Sequence, residues 1–92
     1  MRYMANLAAV GDSGWVTEGL LVGTRGQARS LYGFAVELTG AEAAHYSVTY
    51  RIKLVGRGWS DWVSNGQFVG NRWERFRPVP WAEAMEVQIT PR

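Results

Sequence analysis

Ninety-two residues weighing 10.3 kDa, with a formal net charge of +2 and no cysteine, describe one small domain and exclude disulfides and thiolate metal sites. The lone histidine, His45, leaves no cluster for zinc. The basic excess, gathered in Arg51, Lys53, Arg57, Arg72, Arg75 and Arg77, falls well short of a nucleic-acid-binding balance. No apolar run is long enough to span a membrane, and residues 1–7 lack the apolar core of a signal peptide, so the expectation is no membrane insertion and any export by another route, such as cell lysis.

Tyr3, Ala5, Leu7 and Ala9 recur with period two, which predicts a half-buried strand at the start of the chain. Trp15-Val16 and Val22-Gly23 predict short strands interrupted at glycine, with Thr17-Glu18-Gly19 as a weak turn between them. The polar stretch Thr24 to Arg29 predicts a loop; it lacks the Gly-Lys-Ser/Thr ending of a phosphate-binding loop. Phe34, Val36 and Leu38 mark the next strand, and Ala41 to Ala44 predicts a turn, being too short for a stable helix.

The clearest strand follows, in which Tyr46, Val48, Tyr50, Ile52 and Leu54 alternate with Ser47, Thr49, Arg51 and Lys53. Trp62-Val63 and Val69-Gly70 flank Ser64-Asn65-Gly66, a strong hairpin signal. Beyond Arg72-Trp73-Glu74-Arg75-Phe76-Arg77, the stretch Trp81 to Glu86 has helical Ala/Glu composition. Met85, Val87 and Ile89 nevertheless repeat the pattern of Phe34, Val36 and Leu38 and predict a strand.

That last match belongs to a repeat. Displaced by 47, residues 11–23 fall on 58–70 with seven identities: Gly11/Gly58, Ser13/Ser60, Trp15/Trp62, Val16/Val63, Gly19/Gly66, Val22/Val69 and Gly23/Gly70. Tyr3/Tyr50 and Leu7/Leu54 extend it upstream; after Gly70 the second copy carries about four extra residues. One copy has too little apolar surface to stand alone. The predicted fold is therefore an all-β single domain, 1–92, of two 47-residue antiparallel repeats (about 1–45 and 46–92). They share one core with pseudo-twofold symmetry in a β-sandwich or prism-like arrangement. Exposed strand edges and small size predict a symmetric homo-oligomer.

Gly58-Trp59-Ser60-Asp61-Trp62-Val63-Ser64-Asn65-Gly66-Gln67-Phe68-Val69-Gly70 resembles the core of the clostridial hydrophobic W (ChW) repeat. That pattern reads Gly-Trp-x-x-Trp-x-x-(Asp/Asn)-Gly-x-x-x-Gly-Thr, then Gly-Gln and a strand beginning Glu-Ala. Gly23-Thr24-Arg25-Gly26-Gln27-Ala28-Arg29 supplies the later part in the first copy, and Glu83-Ala84-Met85 the strand start in the second. Tyr46-Ser47-Val48-Thr49-Tyr50-Arg51 is similar to the family's upstream strand. The likeness covers nearly the whole chain, but Asp12 stands where the first Trp belongs and residues 71–78 replace the Gly-Thr-x-Gly-Gln segment in the second copy. The resemblance implies a non-catalytic module that attaches to polysaccharide, cell wall or other proteins, acting at a cell surface, extracellularly or in a virion. It names no cofactor.

Trp15 and Trp62, present in both copies with Gly19, Gly23, Gly66 and Gly70, read as structural motif residues, the tryptophans as core. Trp59 has no counterpart and is the better ligand-binding candidate, with Asp61 and Asn65 beside it to meet hydroxyls. Gln27 and Arg29 offer hydrogen bonds from the first copy's loop; Trp73 and Arg75 suit acidic sugars, phosphates or a protein partner, or else form a solvated strand. Glu83 and Glu86 fall on opposite strand faces and make a poor glycosidase pair, His45 has no orienting partner, and no catalytic residue is assigned. The expectation is lectin-like recognition of carbohydrate or surface glycan. The alternative is a structural or assembly protein, for instance a virion or phage component, using the same surface for protein contacts.

Overall fold

The computed structural model describes residues 1–9, 11–17 and 30–92. Within them the chain is mostly β and forms two antiparallel sheets. β1 (Arg2–Leu7) is the centre of the first, with β2 (Gly11–Asp12) and β3 (Val16–Thr17) along one edge and β4 (Leu31–Glu37) along the other. The helix α1 (Gly40–His45) leads into β5 (Tyr46–Leu54), the centre of the second sheet. β6 (Gly58–Trp59) and β7 (Val63–Ser64) pair with successive parts of β5, and β9 (Ala82–Pro91) runs along its whole length. The short β8 (Val69–Gly70) crosses over and pairs with β4 of the first sheet.

The alternation in β5 does what its period dictates. Val48, Tyr50 and Ile52 are fully buried while Thr49, Arg51 and Lys53 stay half-exposed on the other face. Full burial of Val48 and Ile52 contributes about 2 kcal/mol each. These residues meet Phe34, Val36 and Leu38 from the first half and Val69 from β8 in one cluster, with the Phe34 and Tyr50 rings 5.2 Å apart. The Tyr50 hydroxyl donates to the Gln67 carbonyl. Burial pushes its pKa above the ordinary value, an effect only partly offset by backbone hydrogen bonds.

Pairs displaced by 47 recur in the two sheets: Leu7 with Gly11 and Leu54 with Gly58, Tyr3 with Val16 and Tyr50 with Val63. Both central strands shift register at the same place, between Asn6 and Leu7 and between Lys53 and Leu54. The serines of the repeat explain how the edge strand is interrupted without orphaning the ladder. Ser60 donates its N–H to Ile52 O (2.8 Å) and accepts from Ile52 N–H at Oγ (3.1 Å). Ser13 does the same with Ala5, at 2.8 and 3.0 Å. A hydroxyl thus stands in for a backbone carbonyl where the chain bulges away.

Two local expectations change. Residues 40–45 form a helix rather than a turn, because their Ala-rich composition favours it and Glu42 in its first turn complements the dipole and holds the N-terminal amine at 3.1 Å. Asn65 and Gly66, both at positive φ, make the expected tight turn, closed by Gln67 N–H to Ser64 O at 3.1 Å. Yet the strands on either side do not pair with each other: β7 joins β5 and β8 joins β4. The crossing depends on glycine. A Cβ on Gly70 would lie 2.6 Å from Tyr32 O and 2.8 Å from Gly33 Cα. The stretch 82–91 is a strand despite its Ala/Glu content.

On β9, Met85, Val87 and Ile89 remain about half-exposed. Met85 and Val87 border an apolar cleft of about 400 Å³ whose opposite wall includes Tyr3, Leu7 and Phe34. No helix among the described residues is long and apolar enough to cross a membrane.

Candidate functional site

The outer face of β5 carries Arg51 between two indoles. β6 sets Trp59 opposite Lys53, and the break at Ser60 lets Trp62 come back over the same face before Val63 rejoins the ladder. The Arg51 guanidinium carbon sits 4.4 Å from the Trp59 ring centroid and 4.7 Å from that of Trp62. Each contact at a partly exposed site is worth about 0.5–1 kcal/mol. From β9, Glu86 accepts from Arg51 Nη2 at 2.7 Å, and Lys53 lies 3.8 Å from Glu83. Trp59 is 39 % and Trp62 42 % exposed. Apolar ring surface is therefore presented beside a guanidinium paired with the Glu86 carboxylate, and the exposed Asp61 precedes Trp62 in the chain. This combination offers apolar ring surface together with donors and acceptors.

The first half keeps one indole. Arg2 lies 4.9 Å from the Trp15 ring and bonds Glu37 through Nε (3.1 Å) and Nη2 (2.8 Å). In the place of Trp59 stands Asp12, whose carboxylate accepts from Asn6 Nδ2 at 2.8 Å and from Arg72 Nε at 3.4 Å. Asn6, only 2 % exposed, also accepts from the Trp73 N–H at 2.6 Å. The segment from Arg72 is thus moored on β1 and β2. Beyond that mooring Glu74 bridges to Arg77, placing Arg75 and a 94 % exposed Phe76 at the tip of a turn. Arg72 lies 3.9 Å above the Phe68 ring.

The structure brings Trp59 and Trp62 together on Arg51 and leaves Asp61 exposed, while Trp73 (half-buried) and Arg75 (exposed) lie in the moored turn. Asn65 uses its side chain internally, Oδ1 accepting from Val48 N–H at 3.2 Å. Gly66 lies beside Glu37 and Gly70 in the β4–β8 crossing. Gln27, Arg29, Gly19 and Gly23 lie outside the described residues. Trp15, at 41 % exposure, and Trp62 are not core, contrary to expectation, because both sit on outer faces against arginine. Glu83 and Glu86 do not diverge to opposite faces: the register shift at Lys53/Leu54 leaves Glu83 outside the pairing, and each carboxylate reaches a cation of the outer face.

Sequence reasoning passed over Arg51, Glu86 and Asn6. Strand parity puts Arg51 outward in the same register as Glu86, a signal available once both strands are drawn. Asn6 carried no signal, since its partner lies 67 residues away. No group of three or more His, Cys, Asp or Glu able to hold a metal ion occurs among the described residues. Compared with known proteins, the chain matches no family model, no curated protein and no solved structure.

Proposed function

We propose that this chain is a non-catalytic, lectin-like module that recognises carbohydrate of a cell surface or cell wall through the Trp59–Arg51–Trp62 face. The observation that carries the reading is the pair of part-exposed indoles held on a single ion-paired guanidinium. A sugar ring stacks its C–H face on an exposed indole while its hydroxyls take hydrogen bonds from Arg51 and give them to Glu86 or Asp61. The same reading treats the chain as two divergent ChW-like repeats related by pseudo-twofold symmetry in a sandwich-like packing. Support comes from the strand pairs that recur at a displacement of 47 and from the duplicated serine hydrogen bonds.

The test is a glycan array that includes bacterial cell-wall sugars, probed with the wild type and with Trp59→Ala and Trp62→Ala. Binding that disappears in both variants supports the reading. No binding to any glycan, or binding indifferent to both substitutions, overturns it.

A second reading, assembly through protein contacts, is favoured by two exposed apolar features: Phe76 at its turn tip and the half-exposed Met85, Val87 and Ile89 of β9. It is the reading to adopt if the array is silent and sedimentation shows a concentration-dependent homo-oligomer that Val87→Lys dissociates.

A further inference from the structure

We infer that the cleft between the 55–57 turn and the moored segment is an oxyanion-binding subsite, built for the phosphate or carboxylate group of an acidic glycan. Its volume is about 290 Å³, and Arg57, Arg72 and Arg77 line it with Asn71 and a single carboxylate, Glu74. That is room for one charged group with its first hydroxyls rather than a track for a nucleic-acid backbone.

The frame of the cleft is fixed before any ligand arrives. Val55 N–H donates to Trp81 O at 2.9 Å, tying the turn to the segment that forms the opposite wall. Asn71 is held at both ends, by its N–H to Tyr32 O (2.9 Å) and by Nδ2 to Pro80 O (3.2 Å). Arg72 rests on Phe68, and the neighbouring Trp73 N–H is anchored on Asn6. Preorganisation of this kind lowers the ordering cost of binding.

The ion pairs already made by the cleft's arginines are long and exposed. Among the described residues no carboxylate pairs with Arg57. Arg72 reaches Asp12 only at 3.4 Å and Arg77 reaches Glu74 only at 3.7 Å, both exposed and longer than a charge-assisted bond of about 2.7–2.9 Å. Three arginines lining one cleft with one carboxylate leave it an excess of positive charge, which an oxyanion offsets with the bidentate geometry arginine favours. The glycan in this proposal rests on the reading above; the oxyanion subsite does not.

The experiment is an NMR titration of backbone and arginine Nε–H signals with inorganic phosphate and with glucuronate, against sodium chloride at matched ionic strength. Saturable shifts at Arg57, Asn71, Arg72 and Arg77, weakened about tenfold in Arg72→Gln and in Arg77→Gln but unchanged in Arg2→Gln, at the far end of β1 and β4, are expected. Using two arginine variants keeps the test decisive if one of them fails to fold. Shifts that follow chloride equally, or that survive both substitutions, overturn the subsite. A uronate or phosphate-bearing polysaccharide should then bind more tightly than single-stranded DNA of equal charge; the reverse order would overturn the glycan assignment. Trp59→Ala should leave the phosphate shifts intact, so failure of the indole platform and failure of this subsite are read separately.

Discussion

Trp15 and Trp62 occupy corresponding places in the two sheets, yet they are supported differently. Trp62 shares its arginine with Trp59, whereas Trp15 has Arg2 to itself. The arginines do not even correspond: Arg2 aligns with Thr49, and Arg51 with Met4. Where the second half has Trp59, the first has Asp12, and this single difference redirects the position from presenting an aromatic ring to holding Asn6 and Arg72. One backbone pattern thus carries two roles. The strand pairing and serine hydrogen bonds are common to both; the side chain two residues before Gly14 or Asp61 decides whether the face is a mooring or a platform.

The largest loss is expected where the halves join. Gly70→Ala forces a Cβ against Tyr32 O at positive φ and should cost about 2–4 kcal/mol. Gly14→Ala, also at positive φ but with nothing within 4 Å, should cost only about 1 kcal/mol. Urea unfolding of the two variants measures the difference.

Next in size is the mooring. Asn6→Ala leaves the Trp73 N–H without its acceptor and should cost about 1–3 kcal/mol. Lys53→Ala, at the aligned position on the surface, should stay within about 0.5 kcal/mol. Equal losses in the two variants would show that the second copy's extra segment is not anchored on Asn6. Replacing Arg51 by Lys, which cannot lie flat between two rings, should cost more stability than Arg2→Lys, by about 0.5–1 kcal/mol for the second indole contact; paired thermal melts check it.

The smallest effect is alkaline. The Tyr50 pKa is raised in the folded chain by burial, so the unfolded chain loses its proton first as pH climbs. The stability that Tyr50 contributes is whole below the ordinary tyrosine pKa of about 10 and is lost as pH rises from there through the folded value. Tyr50→Phe should flatten this part of the pH–stability curve, measured by denaturant midpoints between neutral and alkaline pH.

Much of this was legible in one dimension. Period-two alternation marked β1, β4, β5 and β9, and Ser64-Asn65-Gly66 marked its turn, because both signals are local. What escaped was decided at a distance. Which sheet β8 joins follows from the close fit of Gly70 on Gly33, a contact that turn chemistry does not contain. The exposure of Trp15 and Trp62 follows from where the chain bulges at Ser13 and Ser60, since a tryptophan beside a strand has no parity to read. The sides taken by Glu83 and Glu86 turned on one shift in register. The tryptophans of the candidate site were visible in sequence; Arg51 and Glu86, which organise them, became visible only once β5 and β9 were paired.

The most direct test compares three tryptophans in one assay: glycan binding by the wild type, Trp59→Ala, Trp62→Ala and Trp15→Ala, each shown to be folded. Binding should be lost with Trp59→Ala and Trp62→Ala and kept with Trp15→Ala. Binding that survives removal of Trp59 and Trp62, or that depends on Trp15 equally, would contradict it.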